Sequence, residues 1–449
     1  MSFRNRLLVL TAAAALPAVA AAQQPVAPSV PPDGARPISL DDAVRLAQQN
    51  APASVQARGA LRSNAAQVRR NYATFLPTVN FNTSYGRSEG ATYFQGELVP
   101  LRGDPWSFRN GVSANLELFD GGQRFADLAA ARANVDASEA GEINQRFNVA
   151  LQVKQQYYAV LAARESEAAA RQQLQQAEQQ LAAASARLRA GSATKSDSLR
   201  TGIQVGNARL AVLQAQTNLG NANASLTRLV GSPFVVTAGA AEDEPTGTPE
   251  PLDSAALAGL VLEAPAVRQA EASLVAARAG VRSAKTAYLP SLSVSYSYNA
   301  NQSGQSFNTG NLWLLTGQNP NSKNLSFSVT YPLFNQLQRE TSVVTAEVQR
   351  NNAEAAARDS RLAAQQTLAQ VLGTLRLAQE RIRVQQEAVV SGEEDLRVQT
   401  ERYQLGAATL LDLLTSQTTL NQARLALIQA RFDARIARAQ LEALVGRAL

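Results

Sequence analysis

The chain has 449 residues, with 42 Lys and Arg against 36 Asp and Glu, a formal net charge of +6. It contains no cysteine and no histidine, which excludes disulfides, zinc–thiolate sites and Cys- or His-based catalysis. A mild positive balance without aromatic–basic clusters does not point to nucleic acid.

The first 22 residues carry Arg4 and Arg6, an apolar run from Leu7 to Val19 and the small residues Ala20-Ala21-Ala22. This pattern predicts a cleaved secretory signal peptide over 1–22, because the apolar run is too short to span a bilayer. The mature chain would begin at Gln23, and with no cysteine there it is not lipidated. No later apolar run reaches membrane-helix length, so passage through a membrane requires strands.

Next comes a helical segment, about Leu40–Tyr72, rich in Ala, Gln and Arg, that ends before Leu76-Pro77. Val79, Phe81 and Tyr85 then alternate with Thr78, Asn80, Asn82 and Ser84, and Val112, Ala114, Leu116 and Leu118 alternate with Ser113, Asn115 and Glu117. Period-two patterning of this kind predicts two strands, about 78–119, each with one polar face, around a Gly/Pro-rich loop. From about Gly122 to Ala190 there is no proline, and the composition predicts one very long helix. A turn at Gly191 and a return helix to Gly231 complete a first unit, 23–230.

An acidic, Pro-rich linker, 231–254, leads to a second unit, 255–449, which repeats the first. Its helix covers about Ala255–Tyr288, its strands about 291–334, its long helix about Gln338–Leu405, and its turn lies at Gly406. Pro52 and Pro77 match Pro265 and Pro290 at an offset of 213; Phe119, Gly191 and Gly231 match Phe334, Gly406 and Gly446 at 215. Two residues inserted between Pro290 and Phe334 account for the change. A helix of about 69 residues is ~100 Å long, and two of about 33 residues stacked end to end match it. Each unit is therefore a long helix beside a two-piece return, with the glycine turn at the tip farthest from the strands. Four strands with apolar outer faces cannot close a membrane barrel, which needs about eight or more; a trimer supplies twelve and a dimer eight. Tyr85, Trp106, Phe108, Tyr298 and Trp313 stand where an aromatic girdle would lie.

The opening "SLDDAVRLAQQNAP", the "FLP" and "YLP" helix exits, "LFDGG" and the stretch from "RYQLGAATLLDLL" to "LEALVG" resemble the TolC family of outer membrane channels over essentially the whole mature chain. The resemblance implies a mainly α protein with a membrane β-barrel: a homotrimer with a twelve-stranded barrel in outer membrane lipid, a periplasmic helical tube and an equatorial belt. It further implies docking onto a periplasmic membrane-fusion adaptor and, through it, an RND or ABC inner-membrane pump, with no cofactor and no enzymatic activity. The cargo implied is small-molecule drugs, with type I protein secretion as the alternative duct role. A pore-free periplasmic coiled-coil scaffold is a second reading, and a hydrolase at the bacterial surface, without His or Cys to serve it, a third.

Within that resemblance the tip turns around Gly191, Thr194, Gly406 and Thr409 match the adaptor-contact mouth. Asp197 and Asp412 match the constriction carboxylates, and Tyr403 a gate tyrosine. Each aspartate also lies near a helix N-terminus, where the dipole favours it in any case. The chain departs from the family pattern at Ala408, where a gate arginine would stand, and at Thr415, where a second acidic ring would lie. Lys195, Arg187 and Arg402 are the cations placed to substitute, or are solvated helix charges.

Overall fold

The structure, a computed structural model, describes residues 35–87, 91–94, 96–100, 106–191, 194–239, 254–303 and 321–447. The expected signal peptide, most of the acidic linker and Trp313 lie outside the described residues.

The two prolines that mark the repeat also divide its first helices. A single helix is expected over each of Leu40–Tyr72 and Ala255–Tyr288. Instead α1 (Leu40–Asn50) stops before α2 (Pro52–Ala73), and α5 (Ser254–Val261) stops before α6 (Pro265–Lys285), which runs into a 3-10 turn at Thr286–Tyr288. Proline pushes its predecessor out of the helical region, and Ala51 and Ala264 have ψ 134 and 145. Pro52 and Pro265 then open the next helix, where a missing N–H costs nothing.

The long helices form as the composition predicts. In the first half α3 (Gln123–Arg189) has 67 residues and α4 (Lys195–Val230) has 36. In the second half α7 (Gln338–Gln404) again has 67 and α8 (Leu410–Val445) again has 36. At 1.5 Å per residue α3 and α7 are each ~100 Å long. They pack through apolar seams: Ala177, Val205 and Ala208 between α3 and α4, and Ala364, Leu368, Val371 and Leu441 between α7 and α8. Near the strands the helices lie side by side in the order α2, α3, α6, α7; toward the tip the order is α4, α3, α8, α7. The result is a wall of helices set side by side.

The thickest core lies at mid-height. There α1, α3, α4 and a parallel pair of short strands, β1 (Arg36–Ile38) and β6 (Val236–Ala238), bury Ala43, Ala47, Val149, Val153, Val160, Leu226 and Val230. Tyr157 donates to the Ile38 carbonyl, and the Arg164 guanidinium bonds the Gly239 and Ala238 carbonyls and Thr237, fastening the strand pair to α3.

At the other end β2 (Thr78–Arg87), β5 (Trp106–Phe119), β7 (Ser291–Ser303) and β8 (Asn321–Thr330) form an antiparallel sheet in that order. A small hairpin, β3 (Ala91–Phe94) with β4 (Glu97–Pro100), stands apart. Register turns the period-two pattern into two continuous faces. Val79, Ala114, Tyr296 and Leu325 make one apolar row, and Leu116, Val294 and Phe327 another. Thr78, Asn115, Ser295 and Ser326 make a polar row, as do Asn80, Ser113, Ser297 and Asn324. A bulge after Glu117 ends the regular pairing beside the strand-to-helix corner. The outer apolar face is uncovered: Phe327 and Val329 are 66% and 72% exposed.

Candidate functional site

The far tip is built by two turns of nearly identical construction. Gly191 and Gly406 have φ +74 and +73, and a Cβ at either would meet nothing within 4 Å. Glycine is needed there for the left-handed backbone that reverses the chain and not for space. Thr194 and Thr409 cap the return helices α4 and α8. Each hydroxyl accepts from the N–H of the aspartate three residues on, at 3.2 Å. The aspartate returns the contact: Asp197 Oδ2 accepts from the Thr194 N–H at 3.2 Å and its hydroxyl at 2.7 Å. Asp412 Oδ2 accepts from the Thr409 N–H at 2.9 Å and its hydroxyl at 2.7 Å. These are reciprocal capping boxes. Their signal, Thr-x-x-Asp in "TKSD" and "TLLD", is legible in the sequence.

The carboxyl of Asp412 is held below the usual carboxylate range, first by the Thr409 hydroxyl, then by the Thr409 N–H, with a further pull from the Arg402 guanidinium. Arg402 also reaches the Ala407 carbonyl at 3.5 Å, across the turn from its own helix. Among the described residues neither aspartate bonds Tyr403. That ring, half-buried at the end of α7, instead lies under Arg187 from the end of α3, with the guanidinium carbon 4.9 Å from the ring centroid. The contact ties the two turns together by a cation over an aromatic face. Sequence inspection marks Arg187 only as one of several cations near the tip, because the pairing crosses between the halves.

At Ala408 and Thr415 no ionic partner exists: Ala408 has no polar side chain, and the Thr415 hydroxyl donates back to the Leu411 carbonyl at 2.8 Å. Above the tip the α3–α8 contact is a polar ladder, Gln180 to Gln417 at 2.9 Å and Gln417 to Gln176 at 3.3 Å. Nearby Ser416 donates to Asp395 at 2.5 Å. The tip thus carries two carboxylates on capped helix ends, with cations on the adjoining turns. It can present charge and backbone to a partner or a passing ion.

A wall of ~100 Å helices hung from a sheet with one polar and one largely apolar face is the architecture of an outer-membrane channel protein. The sequence profile of the outer membrane efflux protein family matches the chain twice, over residues 43–232 and 258–447. The chain belongs to that family, which is one of channels and efflux ducts. Among curated relatives, the chain is 28% identical to protein CyaE of Bordetella pertussis over 88% of this chain and 81% of that one. It is 29% identical to the pyoverdine export outer membrane protein OpmQ of Pseudomonas aeruginosa over 76% of this chain and 69% of that one. Solved structures agree in fold. CusC superposes with a TM-score of 0.77 at 20% identity, covering 95% of this chain and 98% of that one. The outer membrane protein VceC of Vibrio cholerae gives 0.73 at 21% identity, covering 91% and 96%.

Proposed function

We propose that three copies of this chain form a passive exit duct of a tripartite efflux system, carrying small toxic molecules from the periplasm across the outer membrane. One observation carries the reading: a four-stranded sheet with one polar and one largely apolar face has both its edges, β2 and β8, unpaired among the described residues. Apolar residues facing lipid and Ser, Asn and Thr facing water are the requirements of a pore wall, and an open edge in a membrane must be closed. Three copies give twelve strands over one helical tube. The repeats 23–230 and 255–449 are the two wall segments of each copy, joined at the belt by the linker 231–254, and residues 1–22 direct export.

At the periplasmic mouth the turns at Gly191, Thr194, Gly406 and Thr409 meet the adaptor, which couples the duct to an RND or ABC pump. Threefold symmetry gathers Asp197 and Asp412 into a ring of six carboxylates that favours cations. Tyr403 belongs to the mouth's closure, held by Arg187 and not by the ionic lock that Ala408 and Thr415 cannot supply. The efflux role is supported by family membership and by the likeness to a protein named for pyoverdine export. Deleting the gene and profiling drug susceptibility together with secreted proteins tests it. Hypersensitivity to dyes, detergents and antibiotics with a normal secretome is the expected result. Normal resistance with missing secreted proteins would make the duct one of type I protein secretion.

A further inference from the structure

The corner between sheet and long helix is built twice, once in each half, with one telling difference. In the first half Asp120 closes it. Its carboxylate accepts from the Gly122 N–H at 3.0 Å, the Arg124 N–H at 2.9 Å and Arg124 Nε at 2.8 Å. The offset of 215 carries these residues to Asn335, Leu337 and Arg339. Backbone and guanidinium keep their places there. Gln336 and Leu337 hold the positive φ of Gly121 and Gly122, 56 and 62 against 68 and 83, although neither is glycine. The Arg339 guanidinium carbon lies 5.2 Å from the Tyr288 ring centroid, as that of Arg124 lies 5.0 Å from Phe75, and Tyr288 is the mate of Phe75 at offset 213.

What differs is the carboxylate. Asn335 Oδ1 and Arg339 Nε are both enclosed without a hydrogen-bond partner, so the amide oxygen accepts from none of the three donors that match those held by Asp120. Glu340, next along α7, does not stand in. Its Oε2 is likewise enclosed without a partner, and among the described residues no ion pair joins it to Arg339. An enclosed guanidinium N–H costs free energy unless an acceptor meets it, and an anion meets it best. The three donors match a carboxylate in the first half, and two oxygens of a phosphate present the same fork to an arginine. Successive N–H groups of a tight turn also converge on an anion. Asn335 can add a donor of its own, which an ionised carboxylate cannot.

The position of the corner indicates the source of such a phosphate. Leu333 and Phe334, which lead into it, are 85% and 77% exposed, and Tyr331 and Leu337 beside them are exposed as well. On the duct reading, on which this source rests, the apolar face of the sheet lies in lipid. The corner is then the level at which that face ends and headgroups begin. We propose that the Asn335–Arg339 corner binds the phosphate group of a phospholipid. Arg339 Nε and the N–H groups of Leu337 and Arg339 are the donors, and Leu333 and Phe334 lie against the acyl chains. The first-half corner, closed by Asp120, binds none.

The full-length protein in detergent is compared with Asn335→Asp, which supplies the carboxylate of the first half, and with Arg339→Gln, which removes the guanidinium. Each is titrated with dioleoyl phosphatidylglycerol, with dioleoylglycerol, and with sodium phosphate against sodium chloride at matched ionic strength. Native mass spectrometry counts the lipid held per chain, and thermal unfolding reads the shift in Tm. Wild type should hold one more phosphatidylglycerol per chain than either variant, at least about tenfold more tightly, while dioleoylglycerol does not distinguish the three. Phosphatidylglycerol should also raise Tm more in wild type than in Asn335→Asp. A corner with a structural role alone would let Asn335→Asp raise the basal Tm yet hold as much phosphatidylglycerol as wild type, and that result overturns the proposal. A Tm response to sodium phosphate that Asn335→Asp abolishes, with no such difference for the lipid, keeps the phosphate site and overturns the lipid as its source. Conductance in planar bilayers tests the duct reading separately. A conducting protein whose lipid and phosphate binding ignores Asn335→Asp loses the site and keeps the duct. A protein that does not conduct loses the duct, and the sodium phosphate titration alone then decides the site.

Discussion

Gly121 and Gly122 both have positive φ, +68 and +83, yet the structure predicts very different costs for giving them a side chain. A Cβ at residue 122 would meet nothing within 4 Å, so Gly122→Ala carries only the left-handed penalty for an L residue, about 1–2 kcal/mol, less about 0.5–1 kcal/mol regained because alanine has less freedom to lose in the unfolded chain. The net loss is below about 1.5 kcal/mol. At residue 121 the new carbon would lie 2.6 Å from Leu289 Cβ and 2.9 Å from the Thr286 carbonyl oxygen, both close to rigid backbone. Overpacking of that kind adds about 1–3 kcal/mol, so Gly121→Ala should cost roughly 1–4.5 kcal/mol. Thermal unfolding in detergent, followed by helical circular dichroism, compares the two. One kcal/mol moves Tm by about 2–4 °C in a chain of 150–250 residues and by less in a longer one, so Gly122→Ala should lower Tm by a degree or two and Gly121→Ala by several. Equal shifts, or a larger one for Gly122→Ala, would refute the assignment of the close approach. The second half supplies a built-in comparison: Gln336 and Leu337 occupy the matching positions with φ 56 and 62, and Gln336→Gly, at an exposed side chain, should raise Tm slightly by relieving the same backbone strain.

The same corner yields a second prediction. Asp120 accepts from the Gly122 N–H, the Arg124 N–H and Arg124 Nε at 2.8–3.0 Å, whereas its mate Asn335 leaves Arg339 Nε without a partner. Asp120→Asn should lower Tm by the equivalent of about 1–3 kcal/mol, and Asn335→Asp should raise it. At the tip, Thr409→Ala should cost about 1 kcal/mol through loss of the helix cap, measured by the same melt. Because the Asp412 carboxyl is lowered in the folded state, its contribution is present above the ordinary carboxylate pKa of about 4 and is lost as pH falls through the lowered value. The stability gap between wild type and Asp412→Asn, followed by acid titration, should therefore narrow as pH falls below about 4 and close only below the lowered value; a gap that does not narrow would show that the charge is not its source. Replacing Asp197 and Asp412 together with alanine should reduce cation selectivity and block by multivalent cations in planar bilayers. Unchanged selectivity would leave both aspartates as helix-capping residues alone.

Local chemistry determined much of this protein in advance. Proline-free stretches rich in Ala, Gln and Arg dictate the four long helices, period-two alternation dictates the four sheet strands, and Thr-x-x-Asp dictates the capped tip turns, because each signal acts over a few residues. The breaks at Pro52 and Pro265 were available by the same rule, yet the surrounding helical composition masks them. What the sequence could not contain is any pairing between segments far apart in the chain. The Arg187 guanidinium over the Tyr403 ring, the Gln176–Gln417–Gln180 ladder and the order of β2, β5, β7 and β8 arise where the two repeats meet. Such contacts depend on how rigid helices of equal length lie against one another, and only the tertiary structure decides that. It also decides that, among the described residues, β2, β8, α7 and α4 remain edges, because a repeated unit set side by side satisfies only its inner junction.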